Sequence, residues 1–331
     1  MKQLLPLLAG LSLVSSAFGA SQAIIKSGGI VLGINPEGHL NVSNVYGLTS
    51  NSGATGLTLI GVGDATSPGC YCEGWGVSGS GVSGYANVDT DGGAHNLSVV
   101  SFDTDDAGSG PGTYAKSVVA VGGSDLQVTQ HYAAAAAAPG SLFADTVTIT
   151  NTGADVITDV KYVRVMDWDI PPTEFSELVT IQGTATTTLL ETSHDNGFNT
   201  ANPLGGDFPI DGSTTNADFT DNGPNDHGAY FRFNFGDLAP GESKDFTIFY
   251  GAAANESEAL AALGSVGVEL YSLGQNNQIG HDDQSTFIFG FKGVGGTVIV
   301  PPPSNVPEGG IPVVLFGSLV GGMILFKRRL T

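Results

Sequence analysis

A period-two alternation of apolar residues, cut at short intervals by glycine-rich turns, limits this chain more than any other feature. It is clearest in FRFNFGDLAPGESKDFTIFYGA, residues 231–252. Phe231, Phe233 and Phe235 fall on one face, Ala239-Pro240-Gly241 turns the chain, and Phe246, Ile248 and Tyr250 share one face of the return run. Such alternation marks strands with one buried face, and a turn between two of them makes an antiparallel hairpin. The stretch ADTVTITNTGADVITDVKYVRVMDWDIPP, residues 144–172, repeats the design, with Val147 and Ile149 alternating with threonines before the turn Asn151-Thr152-Gly153. Leu126, Val128, Gln130 and Tyr132 alternate likewise, and residues 29–42 read as two short strands around Asn35-Pro36-Glu37-Gly38.

The expected fold is therefore all-β, an antiparallel β-sandwich that is either one large unit or two packed ones. Its parts divide as a β-rich region over residues 20–140 and a sandwich over 141–294, with loops rich in Asn, Asp, Thr and Gly inserted at 183–228. FIFGF, residues 287–291, is the expected closing strand. One short helix is predicted near 256–264, capped by Asn255 with Glu258 three residues on, carrying Leu260 and Leu263 on its apolar stripe and ended by Gly264 or Gly267. The alanine run 133–138 is too short to stand as a helix and is stopped by Pro139-Gly140.

Both ends read as address labels. Residues 1–19 carry Lys2, an apolar run from Leu4 to Val14 and then small residues, the order of a secretory signal peptide. At the other end a Gly/Pro linker, 295–305, precedes Val306-Pro307-Glu308-Gly309-Gly310, the uncharged apolar run 311–326 and the basic stop Lys327-Arg328-Arg329. As a helix that run reaches roughly 24 Å, against a hydrocarbon core of about 30 Å, so a transmembrane segment is expected with its basic end on the cytoplasmic side.

This order of Pro-Glu motif, apolar span and basic end resembles the PEP-CTERM sorting signal of exported bacterial proteins. The resemblance covers residues 306–331, and Gly309 replaces the usual second proline. It implies recognition at Val306, Pro307, Glu308 and Gly309 by an exosortase-like membrane processing enzyme, with the membrane as a partner through the C-terminal helix before processing. The paired segments "TNTG" and "LAPGES" resemble the immunoglobulin-like sandwiches of bacterial surface proteins, a likeness that speaks to fold alone.

Charge narrows the partners. The chain holds 32 acidic residues against 11 basic ones, a formal net charge of −21. Such a surface repels phosphate backbones, so no nucleic-acid partner is expected, whereas extracellular polysaccharide or envelope components remain admissible. The two overlapping G-x-G-x-x-G matches over 74–84 lack the flanking strand and helix that a dinucleotide site needs. There is no G-x-S-x-G, H-E-x-x-H or P-loop, and the six histidines (His39, His95, His131, His194, His227, His281) are scattered, so no enzymatic activity is expected.

Three groups of residues carry what chemistry remains. Cys70 and Cys72, the two cysteines, are spaced for a tight local disulfide in an oxidising compartment and fall short of a zinc ligand set. Asp167-Trp168-Asp169 puts two carboxylates on one strand face with tryptophan on the other, readable either as a glycan contact or as core packing at a strand end. Asp103–Gly108 matches part of a calcium loop without its bidentate glutamate, and Asp221–Asp226 offers further oxygen ligands; both also suit plain turns. No metal site or cofactor is assigned, and calcium alone is left open. The expected function is an exported structural or adhesive protein of the cell surface or extracellular matrix, with a carbohydrate-binding module or glycan-active enzyme as the alternative.

Overall fold

The computed structural model describes residues 21–299. The signal-peptide segment 1–19, the sorting residues Val306, Pro307, Glu308 and Gly309, the span 311–326 and Lys327, Arg328 and Arg329 lie outside the described residues. Among the described residues no helix is long and apolar enough to cross a membrane.

The alternating segments form two large antiparallel sheets. In spatial order, the first runs Leu97–Thr104, Tyr114–Val121, Leu126–Ala134, Leu142–Asn151, Ser243–Ala253, Thr286–Lys292, Leu270–Gln275, Glu177–Gln182 and Phe219–Asn225. The second runs Leu190–His194, Gly228–Leu238, Ile157–Asp167, Gly74–Gly79, Val82–Asn87 and Gly93–His95. They face each other across one apolar core. Phe246 from the first sheet lies 4.9 Å from Tyr162 of the second and 5.1 Å from Phe235, and Phe291 lies 5.0 Å from Phe233, measured between ring centroids. The residues that alternate in the sequence (Val147, Ile149, Phe231, Phe233, Phe235, Phe246, Ile248 and Tyr250) are those that meet there.

The boundary expected at residues 140/141 does not divide the fold. Leu126–Ala134 and Leu142–Asn151 are hydrogen-bonded neighbours, Leu126 opposite Asn151 and Ala134 opposite Phe143. Gly74–Gly79, from the region placed before the boundary, pairs with Ile157–Asp167 from after it. The two alternatives for the sandwich thus resolve to one large unit. The glycine-rich stretch 74–87 is a hairpin of that unit, and a side chain at Gly76 would meet the Ala201 carbonyl at 2.2 Å. Within the segment expected as inserted loops, Leu190–His194 and Phe219–Asn225 are strands, each at the rim of a sheet.

The helix, Glu256–Val266, begins where expected: Asn255 accepts from the Glu258 N–H at 2.9 Å, and left-handed Gly267 closes it. It packs through Ala259, Ala262 and Leu263 on the outer face of the large sheet, against Phe249, Tyr271, Leu273 and Ile288. That cover explains why Thr286–Lys292 is buried on both faces and reads as a nearly continuous apolar run.

A smaller sheet, Ala23–Ser27, Ile30–Ile34, Leu57–Leu59 and Gly63–Asp64, closes one side of the sandwich, with Ile25, Ile30, Leu32 and Ile34 joining the main core. The turn after its second strand, Asn35–Leu40, enters the core. Its carbonyls accept from the Trp75 indole (to Glu37, 2.8 Å), the Ser117 hydroxyl (to Pro36), and the Tyr132 hydroxyl (to Gly38, 2.6 Å). Gly38 sits at φ +84°, which favours glycine, and a Cβ there would meet Gln130 Nε2 at 2.3 Å and displace that amide.

Arg164, wholly buried, lies beside that turn. Its Nε bonds the Glu73 carboxylate at close range, and its other nitrogens reach Gln130 Oε1 at 2.8 Å and the Gly38 carbonyl at 3.3 Å. Glu73 also accepts from the Leu40 N–H at 2.7 Å and the Tyr250 hydroxyl at 3.2 Å. Burial pushes the Glu73 carboxyl up, and Arg164 with these donors opposes that rise. Burial likewise raises Asp145 to about 7, against the pull of Arg164. Neither Asp145 oxygen has a donor in good hydrogen-bond geometry, though Tyr132 and the His131 main chain lie near enough to oppose the rise.

Two outcomes are expected. Glu73→Leu or Arg164→Met alone should cost about 3–5 kcal/mol in urea unfolding, because each strands the partner's charge, while the double change should recover most of that loss. Because folded Asp145 holds its proton to about pH 7, well above an unfolded aspartate, its contribution is most favourable at low pH and declines as pH rises to about 7. Asp145→Asn should therefore stabilise the protein by about 1–3 kcal/mol at pH 8 and flatten the slope of stability between pH 4 and 7.

Candidate functional site

Where Ile157–Asp167 ends, the chain continues as Trp168-Asp169-Ile170. Side chains of one parity (Tyr162, Arg164, Met166, Trp168) point between the sheets, and Trp168 Nε1 donates to Ser272 Oγ at 3.1 Å across the core. Trp168 is fully buried, so a glycan cannot stack on it. The glycan-contact expectation at Trp168 is thus corrected to core packing.

The opposite parity carries Asp167 and Asp169 to the outer face of the second sheet, the one that holds Ile157–Asp167. There the segments 63–67 and 195–203 cover them. The main chain is gripped from both sides, Trp168 N–H donating to the His227 carbonyl at 3.3 Å and Asp169 N–H to Ala65 at 2.8 Å. Two glycines allow close approach here: a Cβ on Gly197, in the cover, would meet Asp167 Cα at 2.5 Å, and one on Gly228, paired with Asp167 in the sheet, the Met166 carbonyl at 2.0 Å. Asp167 is 2% exposed and Asp169 0%.

Asp226, from the turn between Phe219–Asn225 and Gly228–Leu238, completes the group. Ligand oxygens of Asp167, Asp169 and Asp226 lie within 4.8 Å of one another. Two segments singled out separately in the sequence therefore converge, Asp167 and Asp169 from one and the last residue of Asp221–Asp226 from the other. Glu177, the first residue of Glu177–Gln182, borders them. It accepts from the Ser176 N–H at 2.9 Å and the His227 N–H at 3.3 Å.

Burial and mutual repulsion outweigh the few stabilising contacts. Burial and then the charges of Asp169, Asp226 and Glu177 push the Asp167 carboxyl well above the usual carboxylate range. Burial, then Asp226, Asp64 and Glu174, raises Asp169 to about 8, and burial raises Glu177 to about 9. Asp226 is raised as well, chiefly by burial. Carboxylates so placed either keep protons or share a cation.

The other candidates fall into place around this group. Cys70 and Cys72 are joined as a disulfide, and Cys70 Sγ stands 3.4 Å from Asp167 Oδ2. Bridged sulfurs supply no thiolate, so the grouping of Cys70, Cys72 and Asp167 is not a metal site. In the Asp103–Gly108 loop the carboxylates serve as turn acceptors, Asp105 from Thr113 and Tyr114 N–H and Asp106 from Ile24 and Gly108 N–H. Asp221 gathers with His281 and Asp282 at a separate, more exposed place. The histidines do not converge. His39 is in the core, His194 stacks on Tyr230, and His227 Nδ1 stands 3.5 Å from Asp195.

An open cleft of about 470 Å³, for which no sequence motif offered a signal, is lined by Asn51, Pro68, Tyr71, Asp89, Glu174 and Phe175 among others. Phe175 is half exposed there at φ +70°, its ring edge against Gly69. No protein-family model matches the chain, and no curated protein matches it.

Gly228→Ala should fail to fold or lose more than about 3 kcal/mol, since its methyl would strike main chain beneath the acidic group. Thermal unfolding followed by circular dichroism checks this, with Gly236→Ala as the comparison, whose Cβ meets nothing within 4 Å but whose φ of +74° carries a smaller strain.

Proposed function

We propose that this chain is an exported bacterial surface or matrix protein, structural or adhesive in role, delivered by its own tail. The observation that carries this reading is the order of the last residues: Val306-Pro307-Glu308-Gly309, an apolar run, then Lys327-Arg328-Arg329. An export-type leader over 1–19 and a body poor in basic residues support it. A large antiparallel sandwich of the immunoglobulin-like kind suits a body exposed outside the cell, because its closed core needs no partner to be stable. The disulfide between Cys70 and Cys72 fits an oxidising compartment.

In this reading an exosortase-like membrane enzyme recognises the Pro307-Glu308 motif while the apolar run holds the chain in the membrane, and processing releases the body to the envelope or the extracellular polysaccharide. Mass spectrometry of the C-terminal peptide from natively expressed protein tests it. A terminus near Pro307, without Lys327–Arg329, is the expected result; an intact Thr331 would overturn sorting by cleavage.

A carbohydrate-binding role is the second reading, and the cleft beside Phe175 and Tyr71 favours it. An exposed aromatic face flanked by the Asp89 and Glu174 carboxylates and the Asn51 amide offers what a sugar needs, an apolar platform and polar hydrogen-bonding groups. On this reading Phe175→Ala should leave stability within about 0.5 kcal/mol while reducing retention on insoluble polysaccharide, as measured by pull-down.

A further inference from the structure

The fold treats its buried acids in two ways. Most are given donors. Asp64 accepts from Gly56 N–H, Thr58 Oγ1 and Thr66 N–H; Asp195 accepts from Ile210 and Asp211 N–H and from Thr214 Oγ1; Glu177 accepts from two N–H groups. Glu73 has a guanidinium, and Asp145, though without a donor in good hydrogen-bond geometry, feels the same Arg164 charge.

Asp167, Asp169 and Asp226 receive far less: only the Trp168 main chain acts on Asp167, and only the His227 charge on Asp226. Asp169 is completely buried with both oxygens unpartnered, and Asp167 Oδ1 and Asp226 Oδ1 are likewise buried and unpartnered. Asp167 Oδ2 stands 3.4 Å from Cys70 Sγ, and a disulfide sulfur carries no hydrogen to donate. Unsatisfied buried carboxylates are costly, and a native fold that places two of them beside a half-buried third, with their oxygens converging, leaves a role for a bound cation.

We propose that Asp167, Asp169 and Asp226 form a calcium site at the covered end of the sandwich. The donors are hard oxygens, and three carboxylates supply up to six, which suits an ion that takes six to eight oxygen ligands with flexible geometry. Magnesium fits less well, since it keeps several waters of its own and this group is closed on the side of Ala65, Gly197 and the disulfide. Asp226 is only half buried and opens the route from solvent. The ion would tie together the end of Ile157–Asp167, the 225–228 turn and, through Glu177 and His227, the start of Glu177–Gln182. The site stands whether or not the chain is exported.

Isothermal titration of the EDTA-treated full chain with CaCl2, beside thermal melts with and without it, tests the proposal. One strong site is expected, with a melting temperature raised by about 5 °C at saturating calcium and a smaller response to MgCl2. Asp169→Asn and the more exposed Asp226→Asn should each weaken binding about tenfold or more, and the second keeps the test sound where the first perturbs folding. A folded protein that gives no heat and no melting shift with calcium would overturn the site. Calcium binding left unchanged by both substitutions would overturn it equally, placing the ion on other acids. Stabilisation by Asp169→Asn in the absence of any calcium response would show that the group holds protons instead.

Discussion

The contact between Arg164 and Glu73 is the constraint on which the rest of the sandwich depends. A guanidinium cannot shed its proton, so burying one between two sheets obliges the fold to bring a carboxylate and several further acceptors to it. Glu73 comes from just before the Gly74–Gly79 strand, Gln130 and Tyr132 from the large sheet, and the Gly38 carbonyl from the inserted turn. Four separate stretches of chain must therefore be in register before the charge is satisfied. Hydrophobic burial drives the sheets together without direction, whereas this network admits one relative placement.

The same strand links that network to the acidic group. Along Ile157–Asp167 the inward parity carries Tyr162, Arg164 and Met166, continued by Trp168, while the outward parity carries Val163, Val165 and Asp167. Val163 and Val165 pack with Tyr230 and Ala201 under the segment that follows His194. That cover is why carboxylates on the outer face of a sheet become inaccessible. In an uncovered sandwich Asp167 and Asp169 would be ordinary solvated residues at a strand end.

Local pattern made much of the architecture legible. Phe231, Phe233 and Phe235, with Phe246, Ile248 and Tyr250, announced a hairpin with one buried face, and Asn255 with Glu258 announced the helix start, because alternation and capping act over a few residues. What escaped depends on distant partners. The turn at Asn35–Gly38 looks in sequence like any surface turn; only the donors of Trp75, Ser117, Tyr132 and Arg164 make it an interior element. Pairing across residues 140/141 escaped for the same reason. The pair Asp167 and Asp169 was visible, and so was the Asp221–Asp226 run, but nothing local joins Asp226 to the pair. Trp168 was legible as opposite in face to the aspartates, and its burial followed from Ser272 and Gly274 on the other sheet, where a Cβ on Gly274 would meet the indole at 2.7 Å.

The buried acids of this protein separate by what the chain supplies to each. A carboxylate among backbone N–H groups is stabilised by dipoles that folding fixes in place, as Asp195 is: burial pushes it up, yet its donors, with His227, hold it below the ordinary range. A carboxylate facing a guanidinium depends on one partner, and losing that partner leaves a bare charge. A carboxylate with neither must take something from solution, a proton or a cation. The third situation occurs at Asp167 and Asp169, at the end of a strand whose other face carries the Arg164–Glu73 pair. A strand end packed between a core and a cover holds its carboxylates together at little further cost in order, which is the physical condition for ion affinity at a fixed geometry.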